Sequence, residues 1–106
     1  MADGRCELRI TRRYDASPAE VWKAMSDLER WLAPPHGVTV RHAEAERRLE
    51  LDWRPEGEPP SAVKVELRAE GGQTVLVLEH TQIDATLGMR YLAAWSRALD
   101  RFEVSR

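Results

Sequence analysis

The chain has 106 residues, enough for one ordinary domain, and a division in two would leave neither half a useful core. Apolar residues make up 42%, which argues against disorder. The 16 basic and 18 acidic residues nearly cancel, so the basic face expected of a nucleic-acid binder is not indicated. The pairs Arg12-Arg13 and Arg47-Arg48 have acids nearby and read as solvated surface. Cys6 is the only cysteine, which excludes an intramolecular disulfide and fits a reducing compartment. No apolar run approaches the ~18 residues of a membrane span, and the first residues lack the apolar core of a signal peptide. The expected location is the cytoplasm, with no membrane partner.

Along the chain, Glu7 to Tyr14 alternates loosely, with Leu8, Ile10, Arg12 and Tyr14 on one strand face. Ser17-Pro18-Ala19-Glu20 is a helix start: Ser17 as N-cap, Pro18 at the first helical position and Glu20 completing a capping box. Val21, Trp22 and Met25 follow at spacings that let all three face one way. Asp27 can cap a second short helix, Leu28 to Leu32, which Pro34-Pro35 stops.

Strands then dominate. Val38 to His42 and Arg48 to Trp53 alternate and are joined by a hairpin turn, Ala43 to Arg47, that contains no glycine. In the second of them Leu49, Leu51 and Trp53 point one way. Arg54 to Ser61, rich in Pro, Gly and Glu, is an exposed loop. Ala62 to Ala69 places Val63, Val65 and Leu67 inward and Lys64, Glu66 and Arg68 outward, and Gly71-Gly72 turns the chain. Thr74 to Thr81 puts Thr74, Leu76, Leu78 and His80 on one face and Val75, Val77 and Glu79 on the other, the signature of a strand with neighbours on both sides. Asp84 or Thr86 can cap a last helix running to about Val104. Tyr91, Leu92, Trp95, Leu99 and Phe102 recur there at three and four as a core-facing stripe. Strands and helices are segregated, so the class is α+β, with the long C-terminal helix covering an antiparallel sheet of about five strands.

The string Ala16-Ser17-Pro18-Ala19-Glu20-Val21-Trp22-Lys23-Ala24-Met25-Ser26-Asp27, followed by Trp31, resembles the first helices of the START/SRPBCC superfamily. It is most similar to the group named after the activator of the heat-shock-protein-ninety ATPase. Leu49-Glu50-Leu51-Asp52-Trp53 resembles that group's mid-sheet strand ending in Trp, and Gly72 to Thr81 its Gly-x-Thr-x-Leu-x-Leu-x-His strand. Ala94-Trp95-Ser96-Arg97-Ala98-Leu99 resembles its Gly-Trp-x-x-x-Leu helix, with Ala94 in place of the glycine. The resemblance implies a helix-grip, a curved sheet wrapped on the last helix with a cavity between them that takes a small hydrophobic molecule. It also implies a departure. The family's strand pair after the second helix is missing, since only Leu32 to Gly37 fills that interval. Val38–His42 would then be an exposed edge, open to pairing with a second copy as a homodimer or leaving a more open groove.

The cavity candidates are Trp31, Leu51, Trp53, Val65, Leu78, His80, Tyr91 and Trp95, aromatic and aliphatic lining with one polar handle. His80 is either that handle or a core histidine whose ring is satisfied by hydrogen bonds. Trp22 belongs to structure. Arg12, with inward parity, needs a carboxylate or a ligand anion unless a bulge near Asp15 turns it outward. No catalytic residue is proposed. Glu50, Asp52, Glu66 and Glu79 fall on outward parities, and Ser17, Ser26, Ser61 and Ser96 stand in no nucleophile pattern. No His-x-x-x-His or Cys-x-x-Cys is present, so no metal or cofactor is expected. The reading is a non-catalytic binding domain for a small hydrophobic ligand. The alternatives are a co-chaperone-like interaction module acting through its surface or sheet edge, and an enzyme of the cyclase or hydrolase sort.

Overall fold

The computed structural model describes residues 4–27 and 37–101, with Arg101 described for its backbone alone. The second short helix expected at Leu28 to Leu32, the candidate Trp31 and the stripe residue Phe102 lie outside the described residues. Within them the order is β1 (Arg5–Tyr14), α1 (Pro18–Ser26), β2 (Val38–Glu44), β3 (Arg48–Trp53), β4 (Ser61–Glu70), β5 (Gln73–Asp84), a 3-10 turn (Ala85–Leu87) and α2 (Gly88–Arg101). All five strands form one antiparallel sheet in the order β1-β5-β4-β3-β2. This is the expected α+β helix-grip arrangement, and β2 is an edge strand that runs two residues beyond His42.

The local chemistry explains each boundary. The Ser17 hydroxyl oxygen accepts from the Glu20 N–H at 3.2 Å, and Pro18 opens α1. α1 buries Val21 and Met25 completely, with Trp22 half-buried beside them. Its leader is fixed to the sheet by Thr74, whose Oγ1 donates to the Ala16 carbonyl at 2.7 Å inside the core. Gly71 and Gly72, with φ of 58° and 84°, make the two-residue β4–β5 hairpin whose twist matches the strands. The glycine-free β2–β3 turn is closed by Glu46 in the left-handed region, at φ 65°.

β5 continues past Thr81 because of a bulge. Cys6 pairs with Ile83 and Leu8 with His80, so Thr81 and Gln82 face Glu7 alone, and Gln82 takes φ 61°. The extra residue reverses the parity of everything after it. His80 and Ile83, an odd distance apart, therefore both point into the core, at 0% and 1% exposure.

Asp84 caps the 3-10 turn by accepting from Thr86 N at 2.9 Å and Thr86 Oγ1 at 2.6 Å. α2 docks through Tyr91, Trp95, Ala98 and Leu99. Leu92, expected in that stripe, is 39% exposed: it lies on the flank of the helix, and Ala98 takes the place inside. β3, β4 and β5 supply Leu49, Leu51, Trp53, Val63, Val65, Leu67, Leu76 and Leu78 to the same cluster. Fully burying each of these contributes ~1.5–3 kcal/mol.

Candidate functional site

Where β3, β4 and β5 meet the first turns of α2, four rings pack together. Trp53 closes β3 and His80 lies late in β5, while Tyr91 and Trp95 are one turn apart on α2. The ring centroids of Trp53 and Trp95 are 5.2 Å apart and those of His80 and Tyr91 4.8 Å, with Trp53 edge-on to His80 at 5.4 Å. All four are buried. Leu51, Val65 and Leu78 belong to the same buried cluster, so seven of the eight cavity candidates fall in it and Trp31 lies outside the described residues.

Two short polar relays cross this cluster. In the first, Trp95 Nε1 donates to His80 Nδ1 at 2.9 Å, and His80 Nε2 lies 2.7 Å from Ser61 Oγ. An indole N–H can only donate, so Nδ1 must accept and carries no proton. Burial presses the His80 pKa down to about 4, so the ring is neutral near pH 7. Its single proton therefore sits on Nε2 and is donated to Ser61 Oγ. A serine nucleophile needs the reverse, a free Nε2 lone pair to take the hydroxyl proton. Ser61 and His80 are thus joined in the wrong sense for His80 to activate Ser61.

In the second relay, Trp53 Nε1 donates to Tyr91 OH at 3.2 Å, and Tyr91 OH donates to Glu58 Oε1. Arg90 Nη2 donates to Glu58 Oε2 at 2.6 Å, with its guanidinium 5.8 Å from the Tyr91 ring centre. Glu58 belongs to the loop between β3 and β4. One carboxylate thus straps that loop to α2 over the aromatic end of the core.

The histidine resolves as a core group with both ring nitrogens partnered. Ser61 and Glu58 were not anticipated as site residues. Ser61 shares the inward parity of Val63, Val65 and Leu67, a signal available in the sequence once β4 is extended by one residue. Nothing in a Pro- and Gly-rich loop marks Glu58. Arg12 keeps its inward parity and reaches α2, where Nη1 meets Asp100 Oδ1 at 2.9 Å; no bulge at Asp15 turns it outward. Glu50, Glu66 and Glu79 lie on the opposite face in a ladder with Arg48 and Lys64. Among the described residues no group of His, Cys, Asp and Glu is arranged to hold a metal, and no helix is long and apolar enough to cross a membrane.

The family described as Activator of Hsp90 ATPase homolog 1-like protein matches residues 32–105. Among solved structures, CalU16 from Micromonospora echinospora is 31% identical with a TM-score of 0.80, over 92% of this chain and 73% of that one. DynU16, described as belonging to the dynemicin biosynthetic locus, superposes with a TM-score of 0.76 at 20% identity, over 91% of this chain and 45% of its own. Protein CV1439 from Chromobacterium violaceum does so with a TM-score of 0.72 at 16% identity, over 91% and 94%. These last two show the fold alone. No curated protein matches the chain significantly.

Proposed function

The chain belongs to the activator of Hsp90 ATPase homolog 1-like family, and on that premise we propose that it is a non-catalytic binding domain that holds a small hydrophobic molecule between the sheet and α2. The ligand lies against the Trp53, His80, Tyr91 and Trp95 cluster. The observation that carries this reading is the make-up of that region: four rings and a few polar groups, the residue types that line small-molecule sites, are gathered between the sheet and α2, where they pack against one another and a ligand has to part them. The hydrogen-bond sense at His80 supports the non-catalytic part, because the one serine–histidine pair there cannot generate a nucleophile.

Native mass spectrometry of the purified protein, before and after denaturation, tests the reading. An added mass that disappears on denaturation is the expected result and gives the ligand's weight. Protein that stays free of added mass, and takes up none when incubated with a panel of hydrophobic small molecules, overturns it.

A second reading rests on the β2 edge. Thr39 to Ala43 are exposed and Val40 is 52% accessible, so a second copy could add its own β2 there in an interaction module. The bulge between Val40 and His42 and the charge of Arg41 oppose such pairing. The same spectra report it as a dimer without added mass.

A further inference from the structure

The outward face of the sheet is divided into two electrostatic regions. At one end its charges are matched across strands: Arg48 meets Glu66 at 3.3 Å, and Lys64 lies between Glu66 and Glu79 at 3.6 and 3.9 Å. At the other end a groove of about 530 Å³ is lined by Arg5, Arg41, Asp52, Arg54, Ser61 and Gln82, among others. There the charges are not spent on each other. Among the described residues neither Arg41 nor Arg54 has an ion-pair partner, and the Asp52 carboxylate, which lines the same groove, has none either.

The backbone holds this end open in a particular shape. Gln82, a non-glycine residue at φ 61° near the end of β5, is a strained conformation of the kind that clusters at ligand sites. The carbonyl of this bulged residue accepts from Arg5 Nη1 at 3.0 Å, and the Pro60 carbonyl is 3.5 Å from the same nitrogen. Arg5 is thereby set in the groove wall rather than left to sweep through solvent. On the opposite wall, the bulge between Val40 and His42 inserts Arg41 as the extra residue of β2. One bulge thus supplies a carbonyl that holds Arg5, the other places Arg41 in β2, and both arginines line one groove. Arg5 Nη1 is taken up by these carbonyls, so the guanidinium groups left for a ligand are chiefly those of Arg41 and Arg54.

We propose that this groove is a second ligand site, distinct from the aromatic cluster, that takes the oxyanion group of a small molecule, a phosphate or a carboxylate, on Arg41 and Arg54 with Arg5 behind them. Guanidinium forks suit either group, since both offer two oxygens at matching spacing. Asp52 restrains the affinity by opposing the same charge.

The test is titration of the intact protein with inorganic pyrophosphate and, separately, with citrate, followed by amide and arginine side-chain NMR. The expected result is a saturable shift confined to Arg5, Arg41, Arg54, Ala62 and Gln82 with one or both anions; which anion binds more tightly tells phosphate from carboxylate. Arg41→Gln with Arg54→Gln weakens binding roughly tenfold or more. Asp52→Asn tightens it by roughly threefold. Arg68→Gln, at the far end of the face, leaves it unchanged. All four side chains are at the surface, and retained amide dispersion in each variant confirms the fold. Absence of a saturable shift with either anion, or binding of equal strength in the Arg41 and Arg54 double variant, overturns the proposal.

Discussion

His80 makes the fold's stability depend on pH in a way that can be isolated. Its ring is neutral when folded because burial holds its pKa at about 4, while in the unfolded chain it returns to about 6.5. A depressed folded pKa gives stability that is complete above the unfolded value. Below it, the unfolded state takes a proton that the folded state refuses, and stability falls until pH drops through the folded value. At about 1.4 kcal/mol for each tenfold, the whole window is worth roughly 3 kcal/mol, of which about 2 kcal/mol is lost between pH 7 and pH 5. The assay is urea denaturation at several pH values for the wild type and for His80→Gln, which keeps a polar side chain but cannot titrate. The carboxylates titrate in both proteins and cancel in the difference. The wild type's advantage over the variant should shrink by about 2 kcal/mol over that span. Parallel curves would refute the reasoning, because they would mean that His80 is not a buried neutral group.

Other substitutions test single contacts. Trp95→Phe keeps an aromatic ring but removes the indole N–H that donates to His80 Nδ1 and leaves a void where the larger ring packed, and should cost about 1–3 kcal/mol or more in urea denaturation. Thr74→Val is nearly isosteric and leaves the buried Ala16 carbonyl without its partner, with a similar expected loss of about 1–3 kcal/mol by the same method. Gly37→Ala should lower the thermal midpoint markedly. Its new methyl would lie 2.0 Å from the Arg54 carbonyl oxygen at a φ of 94°, and left-handed strain alone costs about 1–3 kcal/mol.

The sheet was largely legible in the sequence because period-two alternation reports burial directly. Leu49, Leu51 and Trp53, and Val63, Val65 and Leu67, point inward as their spacing requires. The α1 start was legible because Ser17 and Pro18 solve a local problem, the unpartnered amides of a first turn. What alternation misses is a change of register. The bulge at Gln82 carries no glycine, so nothing in the sequence announces that β5 continues or that Ile83 faces inward. The site was legible in its rings but not in its wiring. Ser61 and His80 meet across neighbouring strands, and Glu58 reaches Tyr91 from a loop. Those contacts depend on register and on loop path, which composition does not encode. Arg12 shows the converse: its inward parity was a sound signal, and the Asp100 carboxylate that satisfies it comes from an element 88 residues away.

The central claim is that the polar groups beneath the sheet are committed to one another and form a neutral, ordered core rather than a reactive pair. Long-range proton–nitrogen correlation NMR of the His80 imidazole, with His80→Gln to assign the signals, tests it most directly. Near pH 7 the account predicts a neutral ring with Nε2 protonated and Nδ1 bare. A proton on Nδ1 with Nε2 bare would contradict it, and would make Ser61 a serine that His80 can activate.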